Sequence, residues 1–374
     1  GVMGLYDGAS PTAEEGSTAE VAKLLDLPVL LVADARKVAR SVAATVLGFR
    51  LFDPSLRLVG VLLNGIAGLR HLEFCGPAIE ETTGLPVVGY LPRREDLALP
   101  ERHLGLVPML EAPVSQEYFR RLAAQVEATM NLDLLLRLAG DIRLPSPPPA
   151  LFPATPVPSK TSIAVAQDRA FSFYYHDSLD LLAAWGAEVV PFSPLTDFGL
   201  PPGVGGLYLG GGFPELYAQE LAENHALKED LRRWARLGLP IYAECGGLMF
   251  LAQQLVDFAG HAHPMVGLLP AATTLQGACL HLGYRQVRAL GDGPLLQKGR
   301  EARGHEFHWS LLQPLGEAPA AYEVLDQPGR REGFQLGSLW ASYIHLHLGS
   351  DPRLAPRFVD QCAHRREQMK EETR

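Results

Sequence analysis

Three groups of residues in this chain have types and spacings that could do chemistry together. The first is Tyr242-Ala243-Glu244-Cys245-Gly246-Gly247, a lone cysteine between a short apolar run and two glycines. The residues after it, Leu248-Met249-Phe250-Leu251-Ala252-Gln253, read as the start of a helix. A strand turning tightly into a helix projects the turn side chain out of the sheet edge. Backbone N–H groups and the helix start then favour thiolate over thiol, and the N–H of the next residue, Gly246, can stabilise a tetrahedral oxyanion. The bland alternative is a buried structural cysteine, the commoner fate of a lone Cys. The second group is Tyr208-Leu209-Gly210-Gly211-Gly212-Phe213-Pro214-Glu215, three glycines between a strand and a helix beginning near Pro214. Such a loop lets backbone approach a ligand, and the Gly212 N–H is a natural second oxyanion donor. Its alternatives are a plain turn or a phosphate loop, but no Lys-Ser/Thr follows the glycines.

A thiol nucleophile needs a base, and the third group supplies histidines. Ser342-Tyr343-Ile344-His345-Leu346-His347-Leu348 alternates as a strand does and would place His345 and His347 on one face. Gly304-His305-Glu306-Phe307-His308-Trp309 is a rival source. Residue type and spacing do not choose among the four, and a single histidine is more often structural than catalytic. The four cysteines, Cys75, Cys245, Cys279 and Cys362, lie far apart with no CxxC pair or Cys/His cluster. Neither a metal site nor a disulfide scaffold is indicated, and this usage suits a reducing cytoplasm.

These groups need a scaffold, and 374 residues are enough for two domains. Seven prolines between Pro145 and Pro158 cannot continue a helix or a central strand. They mark residues 144–159 as a semi-rigid extended linker dividing 1–143 from 160–374. Before it, Pro28–Ala33, Leu58–Leu63 and Pro86–Leu91 are apolar on both faces, as buried parallel strands are, with helical spacing over Lys37–Phe49 and Ser115–Met130. After it the grammar repeats: strands at Ser162–Ala166, Glu188–Phe192, Gly206–Leu209 and Pro240–Ala243, helices at Leu179–Trp185 and Lys228–Leu237. The fold class is two-domain α/β with mainly parallel sheets.

The composition, 47% hydrophobic and 20% charged, is that of a globular protein. A net charge of −9 argues against nucleic acid or an acidic membrane surface as partner. No apolar run approaches the roughly 20 residues of a membrane span, and the first residues do not read as a signal peptide. The tail from His364 to Arg374 is charged and reads as a solvated end.

The three groups together resemble the cobyrinic acid a,c-diamide synthases. The likeness extends through Gly1-Val2-Met3-Gly4-Leu5-Tyr6-Asp7-Gly8, Leu63-Asn64, Arg102-His103-Leu104-Gly105-Leu106 and Asp168-Arg169-Ala170-Phe171-Ser172-Phe173-Tyr174-Tyr175, so it covers nearly the whole chain. The resemblance implies a dethiobiotin-synthetase-like ATP-binding domain followed by a class I glutamine amidotransferase domain. It implies that ATP, with Mg2+, phosphorylates a corrin-acid carboxylate and that ammonia from glutamine displaces the phosphate. It also implies roles: Cys245 as the nucleophile forming a γ-glutamyl thioester, His345 as its base, and Gly212 and Gly246 as oxyanion donors. Asp7 would belong to the synthetase carboxylate cluster and Asn64 would meet the purine. His347, His305 and His308 remain supporting candidates, with no metal site in the amidotransferase half.

Two departures stand out. Related amidotransferases carry His-x-Glu, the glutamate orienting the base, whereas His347 occupies that place here. No other acid is singled out by spacing. The family's Gly-x-x-x-x-Gly-Lys-Ser/Thr run is also absent from these residues. The expectation is a truncated chain that keeps glutaminase chemistry without productive ATP binding, its first sheet left with an edge that dimerisation would cover. Rival expectations are a synthase for hydrogenobyrinic acid or nickel-sirohydrochlorin, a cysteine peptidase or chaperone-like relative, or an inactive remnant. Cobyric acid synthase is disfavoured because Leu346, in place of glycine, follows His345.

Overall fold

The computed structural model describes residues 4–99, 101–102, 105–106, 114–142 and 151–372. Gly1–Met3, His103-Leu104 and the prolines at 145–149, all singled out above, lie outside the described residues. The chain forms two compact units; 4–99, 101–102 and 114–142 belong to the first, and 105–106 with 151–372 to the second.

In the first unit three parallel strands, Val29–Asp34, Leu58–Ile66 and Val87–Pro92, lie in that order. Helices Ser41–Phe52 and Leu69–Thr83 connect them, and Gln116–Thr129 starts where Ser115 accepts the Tyr118 N–H. Val42, Val46, Val61, Leu63, Ile66 and Ile79 form the core. Burial on both faces, expected of the three apolar runs, holds for Val61–Leu63, is partial in the third strand, where only Val88 is buried, and fails in the first, where Val32 is 57% exposed. Among the described residues Val29–Asp34 pairs on one side only, and the face carrying Val32 and Asp34 is uncovered.

The second unit is built on a six-stranded sheet in the order Phe334–Leu336, Leu339–Ser342, Ile241–Glu244, Gly206–Leu209, Thr161–Ala166, Ala187–Phe192, parallel except for its first member. Residues alternate strictly between its faces. Ile163, Val165, Tyr208, Tyr242 and Trp340 face one way, with Phe358, Val359 and Cys362 of the Leu354–Glu372 helix. Ala164, Leu207, Leu209, Ile241, Ala243 and Ala341 face the other, packed on Leu248, Phe250 and Leu251 of the Gly246–Leu251 helix. The chain runs first to the Ala187–Phe192 edge and then back across Thr161–Ala166 to Gly206–Leu209. That reversal opens a crevice at the carboxyl ends of the strands, where ligands bind in open α/β sheets. Residues 151–160 lie along this unit: Trp185 Nε1 donates to the Leu151 carbonyl at 2.9 Å, and Lys160 N–H to that of Gly186 at 2.8 Å.

Beyond the parallel strands the sequence reading had found no further sheet, yet two follow. Arg331–Glu332, Tyr322–Val324, His281–Ala289, Glu301–His308 and His345–Leu346 make an antiparallel sheet in that order. Ala262–Pro264, Gln254–Val256, Ala271–Thr274 and Leu311–Pro314 make a smaller mixed one. The alternating run Ser342–Leu348 is therefore not one strand. Leu339–Ser342 ends the parallel sheet and His345–Leu346 joins the antiparallel one. The break has a cause: the Glu332 carboxylate accepts from Ser342 Oγ and from the Tyr343 N–H at 2.8 Å, while Ser342 Oγ accepts the Ile344 N–H at 2.9 Å. Those bonds turn the backbone before His345; from there the chain is extended again, with the His347 N–H donating to the Arg303 carbonyl, and His345 and His347 both neighbour His305.

Candidate active site

Cys245 directly follows the Ile241–Glu244 strand and has φ +47° and ψ −102°. A left-handed backbone at a residue with a Cβ costs on the order of 1–3 kcal/mol and persists only where surrounding bonds enforce it. Three bonds do so: Cys245 N–H to Ser342 O at 2.8 Å, Gly247 N–H to Gly210 O at 3.0 Å, and Met249 N–H to Cys245 O at 3.0 Å. The turn lifts the thiol off the sheet into a cavity of about 170 Å³ that Gly212, Glu215, His305, Phe307 and His345 also line. The Sγ atom lies 3.9 Å from the Phe307 carbonyl oxygen.

The glycine loop is held from the first strand's end. Asp168 accepts the N–H groups of Ala170 and Phe171 with one oxygen, and Ser193 Oγ and Leu195 N–H with the other. The Ala170 carbonyl so fixed takes the Phe213 N–H at 2.9 Å. A Cβ at Gly212 would lie 2.1 Å from that carbonyl oxygen, so only glycine fits. Tyr174 ties the two switch-point strands together, donating to the Ala166 carbonyl and accepting the Gly210 N–H. A Cβ built on Gly246 lies 3.1 Å from the Gly212 nitrogen, which brings the two expected oxyanion donors side by side. Neither N–H donates to a described residue.

Of the four candidate histidines, His345 is the one paired with Cys245. Its ring is buried, with Cε1 packed so closely on Gly211 that a Cβ there would be 2.6 Å away. Burial opposes its charge, but interactions with Cys245 and Glu244 outweigh burial and raise its pKa from 6.5 to about 10. His305 is the cross-strand neighbour of His345, stacked at 4.7 Å and 13°, with Nδ1 3.1 Å from Tyr175 Oη. Burial, then the neighbouring His345 and His347, lower its pKa to about 3, so it stays neutral. His308 lines the same cavity between His281 and Tyr343, with Nδ1 3.0 Å from Ser310 O and Nε2 3.4 Å from Glu306. Glu306 is buried, which favours the neutral acid, yet His308, Arg330 and Arg285 hold its carboxyl well below the usual range. His347 points elsewhere: its half-buried ring pairs with Asp177 at 2.9 Å.

Sequence reasoning missed Glu244. Its side chain points to the sheet face opposite Cys245, buried with Tyr208 and Tyr242, and its Oε2 lies 3.7 Å from His345 Nδ1. The signal was an acid inside an otherwise apolar strand, since a buried carboxylate requires partners. The reading looked for the acid two residues beyond the histidine, and the one the structure provides precedes the cysteine.

In the first unit Asp7 and Asn64 are both exposed, and their partners differ. Asn64 ends the middle strand opposite Asp34, while Asp7 accepts the Gly4 N–H at 2.7 Å within its own turn. Asp34 is engaged by Arg36. No group of three His, Cys, Asp or Glu placed to hold a metal occurs among the described residues. Nor, among the described residues, is any helix long and apolar enough to cross a membrane.

Comparison with known proteins agrees with the geometry. A model of the CobB/CobQ-like glutamine amidotransferase domain matches residues 162–353, and an AAA domain model matches 2–101. The cobyrinate a,c-diamide synthase of Dehalococcoides mccartyi is 47% identical over 367 residues, 96% of this chain and 79% of that one. Those of Synechocystis sp. and Gloeobacter violaceus are each 45% identical, covering 97% of this chain and 76% and 78% of theirs. With a domain model spanning the cysteine site and relatives matched along nearly its whole length, the chain belongs to the cobyrinate a,c-diamide synthase family.

Proposed function

We propose that this chain hydrolyses glutamine at Cys245 and that the ammonia amidates the a and c carboxylates of cobyrinic acid. The observation that carries the reading is the left-handed turn at Cys245, which sets the thiol beside His345 and two adjacent, unengaged N–H groups. His345 holds the thiol proton as an imidazolium, and the thiolate sulfur attacks the side-chain amide carbon of glutamine. The oxyanion forms against the Gly212 and Gly246 N–H groups. Collapse breaks the C–N bond, His345 returns the proton to nitrogen, and ammonia leaves a γ-glutamyl thioester. Water, deprotonated by His345, then releases glutamate and restores the thiol. Neutral His305 completes the wall without competing for the proton.

A cavity of about 170 Å³ suits a glutamine side chain and is far too small for a corrin ring, which therefore binds elsewhere. We assign 1–143 to an ATP- and corrin-binding domain, 144–159 to a linker and 160–374 to the amidotransferase on the run of prolines; the two family models match within the first and last of these. In the family's reaction ATP activates the carboxylate. Asp7 and Asn64 are the candidates to approach that site. A cytoplasmic protein pairing through its Val29–Asp34 edge is consistent with the four free cysteines and that exposed edge.

The test is to incubate the protein with glutamine and hydroxylamine. γ-Glutamyl hydroxamate is expected, because hydroxylamine intercepts a thioester; absence of both hydroxamate and glutamate would overturn the reading. Amidation assays with cobyrinic acid, hydrogenobyrinic acid and nickel-sirohydrochlorin separate the ring substrates. With no Gly-x-x-x-x-Gly-Lys-Ser/Thr run in its sequence, the chain is expected to show no Mg2+-dependent ATP binding at micromolar concentration. Clear saturation in a nucleotide titration would contradict that.

A further inference from the structure

We infer that Glu244 is the positioning carboxylate of the glutaminase centre, holding and charging His345 from the sheet face opposite the nucleophile. The inference rests on the reading of Cys245 and His345 given above and adds the acid that the His-x-His run does not supply.

The geometry carries it from both sides. His345 Nδ1 is buried and has no hydrogen-bond partner among the described residues, although a buried ring nitrogen without one costs free energy. The carboxylate oxygen it faces, Glu244 Oε2, is 3.7 Å away. Other titratable groups around the ring are Cys245 on the strand-to-helix turn, His305 on the adjoining strand and His347 two residues on. Glu215 lines the same cavity, but the carboxylate that acts on the His345 charge is Glu244.

Glu244 is itself immobilised. Tyr208 Oη donates to Oε2 at 2.9 Å, Tyr242 Oη donates to Oε1, and the Leu346 N–H donates to Oε1 at 2.9 Å. Burial holds both phenols in their protonated, donating form. The Leu346 bond also ties the carboxylate to the residue after His345, so the strand bearing the base and the strand bearing the nucleophile are fixed through one side chain. Oε2 accepts one hydrogen bond from Tyr208, which leaves it capacity for another, and a shift of under about 1 Å would bring it within bonding distance of Nδ1. Such contacts are often long in unliganded enzymes and tighten when substrate binds. Closed, the bond leaves Nε2 to exchange the thiol proton and stabilises the imidazolium that results, the part a carboxylate takes in hydrolase triads.

The experiment compares Glu244→Gln, Glu244→Asp and Tyr208→Phe with the unmodified protein. Steady-state glutaminase kinetics and the pH dependence of Cys245 alkylation by iodoacetamide are the readouts. Glu244→Gln is expected to lower kcat at least about 100-fold with KM for glutamine nearly unchanged. It is also expected to move the alkylation midpoint to higher pH, because the imidazolium facing the thiolate has lost its counter-charge. Glu244→Asp, keeping the charge, restores part of both, and Tyr208→Phe, which frees Oε2, lowers kcat about tenfold. If Glu244→Gln folds and leaves the midpoint in place, whatever happens to kcat, Glu244 is structural only and the inference is overturned. If that variant fails to fold, an unchanged kcat in Tyr208→Phe overturns it instead. Failure of the underlying reading looks different: a Cys245→Ala protein would then still hydrolyse glutamine.

Discussion

The imidazoles of His305 and His345 lie parallel, 4.7 Å between centroids and 13° between planes, because Gly304–His305 pairs in register with His345–Leu346. The cross-strand pair brings two histidines together in one pocket and divides their charge states, His345 pushed up and His305 pushed down. His305 therefore works as a flat neutral wall. Its replacement by Phe keeps the wall and loses the Tyr175 contact; glutaminase kcat is expected to stay within about threefold. The same change at His345 is expected to remove at least about 1,000-fold. Equal losses at the two positions would contradict this division.

The glycine loop gives a steric test. Gly211→Ala drives a methyl to 2.6 Å from His345 Cε1, within a packed wall that has little room to yield. The expected result is a kcat loss of about 100-fold, since a base displaced by an ångström is mispositioned. Gly48 is the control: it lies inside the Ser41–Phe52 helix, with nothing within 4 Å of an added Cβ. Gly48→Ala is expected to stabilise the first unit by about 0.5–1 kcal/mol in denaturant titrations, through helix propensity alone, without changing glutaminase activity.

Glu332 predicts a pH dependence of stability. Burial raises its pKa from 4.5 to about 7, against the lowering effect of Ser342 Oγ and the Tyr343 N–H. A folded-state value above the unfolded one means the native state binds more protons. The group's contribution is thus fully present below about pH 4.5 and is lost as pH rises through about 7. Glu332→Gln removes that slope. The unfolding free energy of the variant relative to the unmodified protein should rise by roughly 2–3 kcal/mol between about pH 4.5 and 8. A difference independent of pH would contradict the assignment.

Much of this was legible in the sequence where the structure is local. Gly206–Leu209 was read with its observed bounds, and the turn at Cys245 follows from an apolar strand meeting two glycines. The Gly210–Gly212 loop was recognisable because three successive glycines are hard to explain without close backbone approach, and Gly211 and Gly212 each show one. What escaped was long-range. Nothing near His305 reveals that it pairs with His345, forty residues on, nor does the alternation of Ser342–Leu348 disclose that Glu332 breaks it. The choice among four histidines needed that pairing. Val32 was misjudged because an apolar run signals burial without saying whether the strand is central or at an edge.

Glutamate release by a Cys245→Ala protein tests the central claim most directly, with circular dichroism confirming the fold. Glutamine hydrolysis is expected to fall below detection while amidation with ammonium as nitrogen donor persists. Glutaminase activity surviving in that variant would show that the nucleophile lies elsewhere and contradict the account.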